Sequence, residues 1–312
     1  MTRFGLQIPN FTFDGPATDI FDRVVELART AEDGGFDSVW VMDHFYQLPP
    51  LGGPGMPMLE AYTTLGAIGA RTERVWLGAL VGGVTYRNPA LVAKCATTLD
   101  AITGGRAICG LGAAWFDVEH EGLGFDFPPA RERLDRLDEA VQICRAMFTT
   151  EAPTFEGRYY RIKEARNVPR PINPEGIPIM IGGGGERRTL RTVARYADMC
   201  NMFGDADILR HKFDVLRGHC NDVGRDYSAI TRSRLGTLII TEDDAQSEAT
   251  REMLAKLPAS RATTAFNVGT EKEILLQLEE LQEAGVEYFI FNMPTSGPDA
   301  VRRAGDLFQQ VS

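Results

Sequence analysis

Two stretches of this sequence carry residue types able to do chemistry. The first is Asp43-His44-Phe45, directly after the apolar run Ser38-Val39-Trp40-Val41-Met42. An imidazole exchanges protons near neutral pH, so a histidine at the end of a buried strand suits acid–base work. It equally suits a structural histidine satisfied inside its own loop, and position alone leaves both open. The second stretch is Ile181-Gly182-Gly183-Gly184-Gly185, running into Glu186-Arg187-Arg188-Thr189. Glycines between a strand and a helix leave unobstructed N–H groups at a helix N-terminus, where the peptide dipoles favour an anion such as a phosphate. A plain turn needs one or two glycines; four point to anion binding, with Arg187 or Arg188 available to add charge. Leu80-Val81-Gly82-Gly83 and Gly110-Leu111-Gly112-Ala113-Ala114-Trp115 also place glycines where backbone can approach a ligand. The second of these lacks the third glycine of a dinucleotide fingerprint. Trp115 either walls a flat ligand or packs. His120, His211 and His219 lie on polar segments and read as solvated, and no pair of histidines or cysteines has metal-ligand spacing, so no metal is expected.

These residues need elements to hold them. Short apolar runs alternate with amphipathic stretches: strands are expected at Phe4–Ile8, Ser38–Met42, Val75–Val81, Ala107–Leu111, Ile177–Ile181, Asp198–Met202, Leu235–Ile240 and Tyr288–Phe291. Helical patterns follow each of them. Asn88-Pro89 reads as N-cap and first turn, and Thr270 with Glu273 as a capping box. Glu242 to Phe266 reads as helical and polar, and 149–176 as an irregular insertion with a small hairpin. Eight strand–helix units are the arithmetic of a (β/α)8 TIM barrel, with active-site residues at the C-terminal ends of the strands. About 250 residues suffice for that fold, so residues 1–312 read as one domain with loop insertions at the barrel mouth. A doubly wound sheet is the competing architecture, but the first turn, Pro9-Asn10-Phe11, has no glycine fingerprint.

Composition narrows the partners. With 44% hydrophobic and 24% charged residues in 312, the chain has ample apolar material for a core. No apolar run approaches the roughly 20 residues of a membrane span. Forty-three acidic against 33 basic residues give a net charge of -10, which disfavours nucleic acid and anionic membranes as partners. The five cysteines are widely spaced with no C-x-x-C pair, and the N-terminus MTRFGLQIPN lacks a signal-peptide run. A cytoplasmic location is therefore expected. Phe11, Phe45, Leu51 and Met56 hint at a hydrophobic small-molecule substrate, met by the loops 48–57 and 149–176.

The run Thr85-Tyr86-Arg87-Asn88-Pro89-Ala90-Leu91-Val92-Ala93-Lys94, continuing through Thr98-Leu99-Asp100 and Gly104-Gly105-Arg106 to Gly110–Trp115, resembles the bacterial-luciferase-like family of flavin and deazaflavin oxidoreductases. Phe36–Phe45, the helix around Arg133 and the glycine run ending near Ala197-Asp198 match in order. Asp43-His44-Phe45 makes it most similar to the branch using coenzyme F420. The resemblance implies a TIM barrel, a homodimer and a non-prolyl cis peptide near Leu80-Val81 backing the deazaflavin ring. It implies that Gly182, Gly183, Gly184 and Gly185 hold the phosphate, that Gly112 and Ala113 lie along the tail, and that His44 lies beside the reactive ring. Trp115 stands where the family's sugar-phosphate dehydrogenases carry an acid, and Glu119 is given no role. The expected activity is F420-dependent hydride transfer to or from a small, apolar organic substrate. The alternatives are an FMN-dependent two-component monooxygenase of the same fold, or a non-catalytic flavin-binding protein.

Overall fold

The computed structural model describes residues 2–256, 265–294 and 297–311. The apolar runs become strands β1 (Arg3–Ile8), β2 (Ser38–Val41), β3 (Trp76–Ala79), β4 (Gly82–Gly83), β5 (Ala107–Gly112), β6 (Phe155–Glu156), β7 (Arg161–Ile162), β8 (Ile179–Gly182), β9 (Met199–Met202), β10 (Thr231–Ile240), β11 (Ala265–Gly269) and β12 (Tyr288–Asn292). Eight of them, β1-β2-β3-β5-β8-β9-β10-β12, pair in parallel, and β12 returns to β1. This is a closed (β/α)8 TIM barrel. Helices α1 (Ile20–Asp33), α2 (Ala61–Gly69), α3 (Pro89–Thr103), α4 (Asp117–Leu123), α5 (Ala130–Thr149), α6 (Thr189–Tyr196), α7 (Ala206–Val223), α8 (Asp244–Ala255), α9 (Glu271–Glu283) and α10 (Pro298–Phe308) follow the strands.

Strand alternation sends side chains to two separate cores. Outward residues such as Leu6, Val39, Leu77, Cys109, Ile179 and Phe289 pack under the helices. Trp40, Leu80, Ile108, Met180, Met199, Leu235, Tyr288 and Ile290 pack against one another as a separate inner cluster. Trp40 fills this interior at a position where Gly78 leaves room: a Cβ on Gly78 would stand 2.6 Å from the Trp40 ring and 2.8 Å from the Ile108 carbonyl. The indole N–H and the Tyr288 hydroxyl both donate to Ser38 Oγ, so the buried polar atoms of this plug are paired. The plug closes the barrel below its mouth.

Local chemistry explains where the elements begin. Asn88 Oδ1 accepts from Ala90 N ahead of α3, and Thr270 and Glu273 form the expected capping box of α9. The insertion carries a hairpin, β6–β7, whose turn is held by Glu139 through the amides of Arg158, Tyr159 and Tyr160. Two expectations need correction. Strand β10 starts at Thr231, not Leu235, because its polar opening residues are satisfied internally: Arg234 donates to Gly204 O (2.9 Å) and Asn267 Oδ1 (2.7 Å). The region Glu242 to Phe266 is not all helix. Residues 257–264 lie outside the described residues, and Phe266 belongs to β11, which pairs with β10 outside the closed ring.

Candidate active site

Strand β2 ends beside α4, and the two bring His44 onto Glu119. The His44 Nδ1 lies 2.7 Å from Glu119 Oε1. Glu119 Oε2 accepts from the amides of Phe45 (2.7 Å) and Tyr46 (3.1 Å), and the Tyr86 hydroxyl donates to Oε1. Burial alone pushes this carboxyl up, but the His44 contact, the Tyr86 hydroxyl and the amides outweigh it and hold it below the usual carboxylate range. An ionised carboxylate can only accept, so Nδ1 carries the proton and Nε2 is left as the basic nitrogen. Nε2 has no partner among the described residues. The ring keeps 13% of its surface exposed, and Trp115 and Phe116 meet it edge-on at 5.6 and 5.8 Å.

Beneath this pair lies an ionic floor. Arg87 Nη1 reaches both Asp43 oxygens (2.9 and 2.8 Å) and Nη2 reaches Glu60 (2.5 Å), while Gly83 N donates to Asp43 Oδ2 (3.0 Å). Burial pushes the Asp43 carboxyl up against the attraction of Arg87. Tyr86, raised by burial and by Glu119, stacks on His120 at 4.7 Å. His120 was expected in solvent and is instead fully buried. It sits on the inner side of α4, with Nδ1 against the Phe116 carbonyl and Nε2 against the Thr85 hydroxyl, each 2.7 Å away. A carbonyl only accepts, so this imidazole donates from Nδ1 and takes the threonine hydrogen at Nε2. The surrounding sequence is polar because the other faces of the helix meet water.

On the β3–β5–β8 side, backbone comes forward. The Leu80-Val81 bond is cis, as the resemblance implied. A Cβ on Gly112 or Gly182 would come within 2.6 Å of the Val81 side chain, so both must be glycine for the three strands to meet there. Gly183 has φ +120, outside the range of side-chain-bearing residues, and donates to Asn201 O (2.9 Å). The amides of Gly184 and Gly185 donate to nothing among the described residues. Arg188 is not available for an anion: it is paired to Asp135 and donates to Arg131 O. Arg187 is exposed. Arg133 fixes the backbone past β5, donating to Ala113 O (3.0 Å), and Trp115 is 62% exposed at the rim.

The opposite half of the mouth, over β10, β12, β1 and β2, holds a cavity of about 760 Å³. Leu48, Pro50 and Leu51 of the 48–57 loop line it, with Met253 and Leu254 of α8; no residue of 149–176 does. Of the four apolar residues expected near substrate, only Leu51 lines this cavity. Phe11 is fully buried in the outer core, Phe45 packs edge-on against Tyr86, and the Met56 side chain covers Gly52.

The family model of the luciferase-like monooxygenases matches residues 2–266. The chain belongs to that family. It is similar to the F420-dependent glucose-6-phosphate dehydrogenase of Nakamurella multipartita, 38% identical over 63% of this chain and 54% of the relative. The enzyme of the same name from Intrasporangium calvum is 43% identical over 56% of this chain and 50% of the relative. The chain thus matches about half the length of these curated relatives. Among solved structures it superposes on an F420-dependent secondary alcohol dehydrogenase in complex with an F420-acetone adduct (TM-score 0.82, 21% identity, 100% of this chain and 99% of that one). It superposes equally on the long-chain alkane monooxygenase LadA (TM-score 0.81, 14% identity, 99% and 91%). Those two likenesses establish the shared luciferase-like barrel.

Within this luciferase-like barrel the structure brings together His44, Trp115 and the cis Leu80-Val81 bond around the mouth, with Gly112 and Gly182 flanking Val81. Glu119 is the residue that sequence reasoning missed. It is 75 positions from His44, and only the short helix after β5 places it there. The available signal was an acid just beyond the end of a barrel strand, beside the exposed Val118. No helix is long and apolar enough to cross a membrane among the described residues.

Proposed function

We propose that this protein is an F420-dependent oxidoreductase that moves a hydride between the deazaflavin and a small, apolar organic substrate, and that it works as a homodimer in the cytoplasm. The observation that carries the reading is the His44–Glu119 pair, an imidazole with one nitrogen fixed by a carboxylate and the other free, at the same end of the barrel as the cis bond that follows β3. The names of the matched relatives support the cofactor.

The residues present fit such a group. Gly112 and Gly182, where any Cβ would strike Val81, let the Val81 side chain and the cis bond settle as a backing for a flat ring system. The free amides of Gly184 and Gly185 suit a phosphate at the start of α6. In this reading Leu80 and Val81 back the ring, Ala113 and Trp115 flank it, and Gly182 to Gly185 hold the tail phosphate. Coenzyme F420 supplies a two-electron hydride carrier when bound. The chain's own share is orientation, exclusion of water and proton management: His44 Nε2 takes or returns a proton, and Glu119 keeps Nδ1–H in place and stabilises the imidazolium.

The test is titration of the purified protein with F420 and with FMN, read by fluorescence quenching. Tight F420 binding is expected; tight FMN binding without response to F420 would instead favour a two-component monooxygenase, a reading supported by the family's description. Replacing His44 with Ala is expected to lower turnover about 10²-fold or more while leaving F420 binding in place. Binding without turnover of any enone, imine or alcohol would favour a non-catalytic flavin-binding role.

A further inference from the structure

We propose that Gln7 and Asn292 determine the specificity of the barrel-mouth cavity, taking an uncharged, largely apolar molecule by one neutral group that both donates and accepts a hydrogen bond, such as a primary carboxamide or a hydroxyl. The inference rests on the reading of this mouth as the active site and names the kind of molecule it admits.

Three polar side chains stand side by side in the cavity wall. Thr237 on β10 is in register with Asn292 on β12, and Asn292 with Gln7 on β1. The hydrogen bonds they make orient them in this structure. Gln7 Nε2 donates to the Leu80 carbonyl (3.2 Å), which can only accept, so Gln7 Oε1 must face away as an acceptor. The Thr237 hydroxyl donates to Asn292 Oδ1 (2.7 Å), which leaves the Asn292 amide hydrogens as donors. Neither Gln7 Oε1 nor Asn292 Nδ2 has a partner among the described residues, although the two residues are only 2% and 9% exposed. Neither atom is sealed from solvent, so both face the cavity, and an adjacent donor and acceptor there form a ready complement to a ligand group with both functions. Met42, Leu48, Ile239, Leu254 and Met293 add apolar contact.

The described lining offers a phosphorylated substrate no free cation. Arg303 is the one cation among the described lining residues. Its guanidinium is spent on Glu271 (2.8 Å), Glu242 (2.5 Å) and the Thr241 carbonyl (3.3 Å). Glu242 and Asp299 line the same cavity, each paired to an arginine (Arg303 and Arg302), so a phosphate dianion entering it meets no uncommitted cation among the described residues.

Calorimetric titration tests this with three probes: cyclohexanecarboxamide, its N,N-dimethyl derivative, which only accepts, and glucose 6-phosphate. Each is added to the protein with and without F420, and F420 binding is measured separately by quenching, so loss of the cofactor reading is seen independently of loss of this one. The primary amide is expected to bind roughly three- to tenfold tighter than the dimethyl amide, the worth of one neutral hydrogen bond, and glucose 6-phosphate not to saturate. Gln7→Leu, which removes the acceptor for the ligand N–H, should abolish the difference between the amides, whereas Asn292→Leu, which removes the donor to the ligand carbonyl, should weaken both amides alike while retaining F420 quenching. Equal affinities for the two amides in the parent protein, no binding of either, saturable binding of glucose 6-phosphate, or a preference that survives in a folded Gln7→Leu protein would each overturn the proposal. The parent series decides the matter even if that variant does not fold.

Discussion

Replacing Glu119 with Gln changes one atom and inverts the chemistry of its neighbours. The carboxylate accepts four hydrogen bonds: His44 Nδ1 and the Tyr86 hydroxyl on Oε1, the amides of Phe45 and Tyr46 on Oε2. The amides have no alternative role, so the single carbonyl oxygen of Gln must turn to them. Its NH2 then faces His44 Nδ1 and the Tyr86 oxygen, and both must become acceptors. His44 is forced into the other tautomer, with the proton on Nε2 and the basic nitrogen buried against residue 119. Loss of two hydrogen bonds to a charged acceptor, partly replaced by neutral ones, costs about 1.5–3 kcal/mol of stability. A correctly placed acid–base group contributes about 10²–10⁴ in rate, so kcat should fall about 10²-fold or more, and Glu119→Gln combined with His44→Ala should be no slower than His44→Ala alone. Glu119→Ala is a different experiment, because it strands two buried amides. The direct assay needs no substrate: long-range ¹⁵N–¹H correlation of the imidazole rings reports which nitrogen is protonated. An Nδ1–H tautomer for His44 in the parent and Nε2–H in Glu119→Gln are expected. An unchanged tautomer, or unchanged kcat with the tautomer inverted, would refute the reasoning.

Four further outcomes follow from the same contacts. Arg87→Ala strands the fully buried Asp43 and should cost about 3–5 kcal/mol in urea unfolding; a loss below 1 kcal/mol would mean that the floor relaxes or admits water. Gly78→Ala drives a methyl into Trp40 and the Ile108 carbonyl and should destabilise by about 1–3 kcal/mol, so an unaltered unfolding midpoint counts against the interior plug. Glu273, held at about 2 by Arg251, the Thr270 amide and Ser247, is depressed from 4.5, so its contribution is complete above pH 4.5 and fades as pH falls toward 2; the parent should lose stability in acid more steeply than Glu273→Gln, and parallel curves would contradict this. Gln7→Leu removes both the bond to the Leu80 carbonyl and the free acceptor, so F420 affinity and amide preference should fall together, roughly two- to tenfold each, whereas Asn292→Leu should weaken both amides alike and leave F420 affinity unchanged.

The barrel itself was legible because its signal is local. Eight apolar runs separated by amphipathic stretches can be counted without knowing any contact, and Asn88-Pro89 or Thr270 with Glu273 announce helix starts through bonds within one turn. The glycines at 182–185 were legible for a related reason, since backbone conformation restricts residue type directly. What stayed hidden depends on long-range closure. His120 and Arg234 look like surface residues because their polar atoms are answered by Phe116, Thr85, Gly204 and Asn267, partners that only the fold supplies. Glu119 was hidden in the same way. Phe11 erred in the opposite direction: an aromatic in a loop over the mouth was read as facing substrate, and it is core.

The mouth of this barrel divides into a backbone half and a side-chain half, and one residue spans them. Over β3, β5 and β8 the backbone of Gly112 and Gly182 closes on the Val81 side chain beside the cis Leu80-Val81 bond, so packing bars larger residues there. Over β10, β12 and β1 the surface is made by side chains, which substitution can alter one at a time without moving a strand. Gln7 ends the second half by donating to the Leu80 carbonyl of the first. Its amide cannot rotate to suit a new substrate without abandoning that carbonyl, because the oxygen it would present there is repelled by another oxygen. Asn292 has no such tie: its partner is a hydroxyl, which can donate or accept, so its amide can flip and exchange donor for acceptor at little cost. On the proposed function, then, Gln7 is the rigid element that couples cofactor to substrate, and position 292 is where a change of substrate can arise without disturbing the cofactor.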